Sequence, residues 1–170
     1  MAAKTYTVMN GAVPGAAAAV AIATNTAIRT MMQLATSANT AIRVVEWWTE
    51  FDGSAAATPI KVELVGHTTG PQTTLTTYAN ADIAPANDPN AANSDLSLAS
   101  NGSGFSSQTT EVTPTGTVRN LATHFVPPTS GIYIQYPLGR EPEIKVSAYL
   151  RHRATSATNV NCLAGVTFEA

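Results

Sequence analysis

Large hydrophobes recur at every second position through most of the chain. Ile60, Val62 and Leu64 alternate with Lys61 and Glu63. Ile132, Ile134 and Tyr136 repeat the pattern, as do Ile144, Val146, Ala148 and Leu150 against Lys145, Ser147, Tyr149 and Arg151. The final run is Val160, Cys162, Ala164, Val166 and Phe168. Successive side chains of a strand point to opposite faces, so period two predicts half-buried antiparallel strands. Thr26 to Ala35 reads as a strand or a short helix, and its threonines favour a strand. In Ala41 to Phe51 the doublets Val44-Val45 and Trp47-Trp48 break the alternation. Either both faces are covered there or a bulge changes the phase. Tyr6-Thr7-Val8 reads as a short strand ahead of an Asn10-Gly11 turn.

Turn residues separate these runs at Asp52-Gly53, Gly66 to Gly70, Pro127-Pro128, Gly131 and Pro137 to Gly139. Seven to nine strands follow, and no amphipathic helix of ten residues. The expected fold is all-β: one antiparallel β-sandwich of jelly-roll type over residues 26–170. Residues 1–25 read as an N-terminal arm that contributes little to the core. From Thr68 to Gly116 the chain is Thr, Ser, Asn, Ala, Pro and Gly, with Leu75, Tyr78, Ile83, Leu96, Leu98 and Phe105 as scattered anchors. So long an excursion needs a surface to lie on. The reading for both arm and excursion is a partner subunit.

Composition sharpens this picture. The chain has 170 residues, of which 29 are alanine and 25 threonine, and only 12% are charged. A coiled coil and a disordered charged tail are both excluded. Nine basic against 11 acidic residues give no footprint for a phosphate backbone, so no nucleic-acid partner is expected. No run of 18 strongly apolar residues predicts a membrane span. Lys4 followed by Ala12 to Ala23 has the outline of a signal peptide, but lacks leucine and carries Pro14-Gly15; secretion is the minor reading.

Candidate chemistry is sparse. The single cysteine, Cys162, excludes an internal disulfide and reads as a small buried hydrophobe. His67, His124 and His152 lack metal-ligand spacing and read as satisfied or exposed. Glu46, Glu50 and Asp52 share one strand face by parity. Positions i and i+4 of a strand stand roughly 13–14 Å apart, wider than a glycosidase pair requires. No GxSxG, Walker or GxGxxG motif occurs. No cofactor, metal or small-molecule substrate is expected. Asn101-Gly102-Ser103 is a formal glycosylation sequon of chance frequency. Arg151 and Arg153 flank His152 and share one strand face, suited to an intersubunit or intramolecular carboxylate contact. Trp47 and Trp48 are adjacent, so one ring fills the core while the other faces out, unless both are covered.

The order TAIRTMMQLAT, IRVVEWWTEFDGS with PIKVELV, FVPPTSGIYIQYPLGREPEIKVSAYLRHRAT and VNCLAGVTFEA resembles the small β-sandwich head proteins of tailed bacteriophages, the capsid decoration or cement proteins. The resemblance covers residues 26–67 and 118–170. It implies a non-enzymatic protein, often a homotrimer, that binds the major capsid protein lattice and stabilises the expanded head. It places the protein on the outer surface of the virion after synthesis in the host cytoplasm. Candidate partner-binding residues are Tyr6 and Val8 in the arm, Trp47, Trp48, Arg140, Arg151 and Arg153. Two other readings stand beside it. One is a carbohydrate- or receptor-binding sandwich of a phage fibre, which exposed aromatics on a concave face would favour. The other is a hydrolase built on Glu46, Glu50, Asp52 or a histidine.

Overall fold

The computed structural model describes residues 4–11, 20–54, 56–88, 94–106 and 111–170. Along the chain the strands are β1 (Thr5–Met9), β2 (Ile22–Ala23), β3 (Arg29–Ala35), β4 (Ile42–Phe51), β5 (Ile60–Thr69), β6 (Leu75–Thr77) and β7 (Ala84–Pro85). They continue as β8 (Gly104–Ser106), β9 (Thr115–Val126), β10 (Gly131–Gln135), β11 (Glu143–Ile144), β12 (Tyr149–Thr155) and β13 (Asn161–Glu169). Among the described residues one 3-10 turn, Asn80–Asp82, precedes β7. The described residues contain no α-helix.

All strand pairs are antiparallel and fall into two sheets. The first runs β10-β4-β13-β1-β7, with β11 also on β4 and β2 on β13. The second runs β6-β8-β3-β12-β5-β9. Counting only the strands of five residues or more gives eight. In chain order the first sheet places them sixth-third-eighth-first, and the second places them second-seventh-fourth-fifth. That interleaving is the jelly roll, two Greek keys wrapped into facing sheets.

The alternating runs behave as their period requires. Ile60, Val62 and Leu64 point inward, and so do Cys162, Ala164, Val166 and Phe168. The β4 doublets mark a bulge. β13 pairs Thr167 with Glu46 and Phe168 with Val44, leaving Val45 as the extra residue. Ile42 and Val44 face the core before it; Trp47, Thr49 and Phe51 face the core after it. One inserted residue therefore resets which tryptophan is inside.

Three expectations change. The run from Ile144 to Leu150 is not one strand: Ile144 ends β11 in the first sheet and Leu150 lies in β12 of the second. Ser147, at φ 52°, turns the chain between them and leaves Val146 exposed. The N-terminal segment is not an arm over residues 5–9. It is β1, bonded between β13 and β7, with Tyr6 and Val8 buried in the main core and Tyr6 stacked on Phe168 at 5.7 Å. Asn10 extends the ladder with its side chain, accepting from Ala164 N at 2.7 Å and donating to Cys162 O at 3.0 Å. Residues 12–19, the middle of the alanine-rich run, lie outside the described residues, as do 89–93 and 107–110 of the excursion.

The described parts of the excursion rest on their own sandwich. Tyr78, Ile83 and Leu96 enter the main core, and β6 and β8 extend the second sheet past β3. Its ends are tied down by two buried side chains of that sheet's outer face. Gln33 accepts from Gln72 N at 2.9 Å and donates to the carbonyls of Asn101 and Gly102 at 3.1 and 2.7 Å. Arg151 donates to Gln33 Oε1 at 3.0 Å, to Glu111 Oε1 at 2.7 Å, and to the carbonyls of Gly70 and Val112. Sequence segments some forty residues apart meet on these two groups.

Candidate functional site

The bulge at Val45 places Glu46, Trp48 and Glu50 on the outer face of the first sheet. Trp48 pairs across the ladder with Tyr133 of β10. On its other side Trp48 lies over Gly165: a Cβ there would stand 2.1 Å from Cζ2 of the indole. Glycine is what lets the ring lie against the β13 backbone. Tyr133 is 60% exposed and donates to Glu46 Oε2. Glu46 Oε1 accepts from Thr167 at 2.9 Å, and Thr167 meets the Thr7 hydroxyl at 3.0 Å. Accepting that bond, the Glu46 carboxylate holds the Tyr133 phenol above its ordinary pKa of 10. Glu46, Trp48, Glu50, Ile132 and Tyr133 line one shallow hollow.

The seven sequence candidates separate sharply. Trp48 points outward and is half-buried; Trp47 is fully buried, 5.5 Å from the His152 ring and 5.8 Å from that of His124. Tyr6, Val8 and Trp47 are core residues, so the folded chain does not offer them to a partner. Arg151 is fully buried in an intramolecular pair with Glu111, and Arg153 lies 3.5 Å from Glu63. Of the two contacts open for these arginines, the intramolecular one is observed. Arg140 is exposed in the turn Pro137–Arg140. Arg140 N donates to Pro137 O at 2.9 Å, Gly139 has φ +82°, and Glu141 accepts from Gly139 N at 2.7 Å. This braced turn carries Leu138, 97% exposed. Sequence reasoning passed over Leu138 and Tyr133. For Tyr133 the signal was present, since it alternates with Ile132 and Ile134.

The three carboxylates of this face do not share one hollow. Asp52 binds Asn161 through both oxygens, at 3.2 and 3.0 Å, and lines a second hollow with Glu50, while Glu46 and Glu50 line the first. Among the described residues no three His, Cys, Asp or Glu side chains are grouped to hold a metal. Cys162 is buried against Thr49, Sγ to Oγ1 3.2 Å, and burial pushes its thiol up to about 12. A thiol held protonated is a poor nucleophile, so the buried-hydrophobe reading of Cys162 stands.

The histidines are less settled than their sequence suggested. His67 makes one bond, Nδ1 to Thr69 O at 2.9 Å, and stacks on Tyr149. His152 is neither satisfied nor exposed: it is fully buried, and neither ring nitrogen has a hydrogen-bond partner among the described residues. Burial lowers its pKa to about 4. Burial, opposed by the Thr69 carbonyl and helped by Arg151 and Arg153, lowers His67 to about 4 as well. Between pH 6.5 and 4 the unfolded chain takes up protons that these sites refuse. The stability these two sites contribute is therefore fully present above pH 6.5, is lost as pH drops toward 4, and changes no further below. For His152 the loss is about 3 kcal/mol. Urea unfolding at pH 7, 5.5 and 4 should show it, and His152→Phe should flatten that part of the slope. An unchanged slope in the variant would contradict the assignment.

No protein-family model, no curated protein and no solved structure matches this chain.

Proposed function

We propose that this protein is a non-enzymatic decoration protein. In this reading it binds the major capsid protein lattice from outside as a homotrimer and stabilises a tailed-phage head. The observation that carries the reading is the position of the segment FVPPTSGIYIQYPLGREP. It runs from the end of β9 through β10 into the Leu138 turn, along one edge of the sandwich. β9 and β10 are the outermost strands of their sheets on that side. β9 spans twelve residues, and among the described residues its ladder pairing is with β5 alone. Such an edge offers backbone donors and acceptors to another chain. Of the six large hydrophobes exposed among the described residues, five lie between Val118 and Val146. Arg43, Arg119, Arg140 and Lys145 are four of the five exposed cations among the described residues. Register places them around β11 and its flanking turns, and Arg119 donates to Glu143 O.

A lattice binder works by mass action. At about 100 times its dissociation constant it adds roughly 2.7 kcal/mol per site, repeated over the shell. Heads carrying the protein should rupture at a higher temperature than bare heads. Leu138→Asp should lower occupancy and return rupture toward the bare value. The variant's own melting should be unchanged, because the side chain makes almost no contact within its chain. Equal rupture temperatures for bare and fully occupied heads would reject the role.

A further inference from the structure

We propose that the outer face of the first sheet carries a saccharide-binding site, with Trp48 and Tyr133 as the platform for a neutral sugar ring. It stands independently of the capsid reading. Trp48 and Tyr133 are direct cross-strand neighbours, on a face where the β4 bulge has turned one of two adjacent tryptophans to solvent. Aromatic faces carry negative electrostatic potential and attract the weakly positive C–H groups of a pyranose. Gly165 lets the indole lie close to the β13 backbone, so its position is set before any ligand arrives. The phenol is fixed by its bond to Glu46, which is itself held by Thr167. A site whose groups are already oriented loses little entropy on binding.

The flanking groups choose the ligand class. Glu46 and Glu50 stand two residues to either side of Trp48 and line the same hollow. Carboxylates are acceptors only, matched to the hydroxyl donors of a sugar. They repel uronates and sialic acids. Among the described residues no cation lines this hollow, so a dry protein interface here would have to bring its own to pair two desolvated carboxylates. A hydrated saccharide leaves them partly in water. The chemistry therefore favours a neutral hexose or N-acetylhexosamine.

The fluorescence of the full chain provides the test. Trp47 is a buried, constant background, so changes report on Trp48. The protein is titrated with neutral gluco-, galacto- and N-acetylglucosamine oligosaccharides, and with uronate and sialylated counterparts. At least one neutral oligosaccharide should shift the emission and saturate, with Kd between about 10 μM and 1 mM. Tyr133→Ala should weaken it by about tenfold or more, with melting unchanged because the ring is exposed. Trp48→Ala, followed by calorimetry, should abolish it. Glu50→Gln should admit uronates that the native protein rejects. No saturable binding by any neutral member at about 10 mM overturns the proposal. Binding that survives Tyr133→Ala and Trp48→Ala unchanged overturns it too, since the sugar would then sit elsewhere.

Discussion

Arg151→Ala should remove about 3–5 kcal/mol of folding stability, the range for breaking a buried charge pair by deleting one partner. The guanidinium is fully buried and makes four hydrogen bonds, one of them to the Glu111 carboxylate. Its loss leaves Glu111 with only the Thr30 hydroxyl and Arg153 at 3.8 Å, removes one donor from Gln33 Oε1, and strips two backbone carbonyls of their partner. Arg151→Lys should rescue little, because a point charge does not reproduce the fork that reaches Gln33, Glu111 and two carbonyls. Removing both charges in Arg151→Met with Glu111→Leu should cost less than Arg151→Ala alone, since no unpaired charge remains buried. Denaturant unfolding of the three variants measures this. Hydrogen exchange of the amides near Gln72 and Val112 should rise in Arg151→Ala before global unfolding does. A loss below about 1 kcal/mol, the size of an exposed pair, would contradict the account of the latch.

Tyr6→Ala should cost about 3–5 kcal/mol, as for other large aromatics cut from a core. The ring is buried in the main core and stacks on Phe168, so truncation leaves a cavity between β1 and β13. Removing residues 1–10 entirely should do more. It takes out Tyr6 and Val8, uncovers β13 along five paired positions, and deletes the side-chain bonds of Asn10. Small domains have about 5–15 kcal/mol in hand, so the shortened chain should not unfold cooperatively at room temperature. Circular dichroism during a thermal ramp would decide it. A cooperative transition at the native temperature would restore the view of this segment as a dispensable arm.

The parts of the fold that the sequence made legible are those where one face is dry and the other wet. β5 and β13 were readable because burial on one side imposes period two. The doublets of β4 left a bulge or two covered faces open, and the observed bulge at Val45 decides that Trp48, not Trp47, points outward. Alternation failed at Ile144 to Leu150, where the pattern runs through a turn: parity does not register a single residue at positive φ. The excursion misled for a different reason. Its hydrophobes are few, yet Tyr78, Ile83 and Leu96 suffice to anchor it. Its remaining hold is polar, through Gln33 and Arg151. A buried glutamine in a strand looks like any outward polar residue until the segment covering it is known. Tyr6 and Val8 alternated correctly, but strand pairing across 160 residues left no local mark. At the candidate site, parity put Glu46, Glu50 and Asp52 on one face but left open which of Trp47 and Trp48 faced out. Tyr133 was legible as an outward residue of its run, but its place beside Trp48, like that of Gly165, is set by strand pairing and left no local mark.

The most direct test of the proposed capsid role is an electron-microscopy reconstruction of phage heads assembled in the presence of this protein. The account predicts repeated copies of this jelly roll on the outside of the shell, with β9, β10 and the Leu138 turn against the major capsid protein. Absence of the sandwich from the shell, or its presence only at a fibre tip, would contradict it.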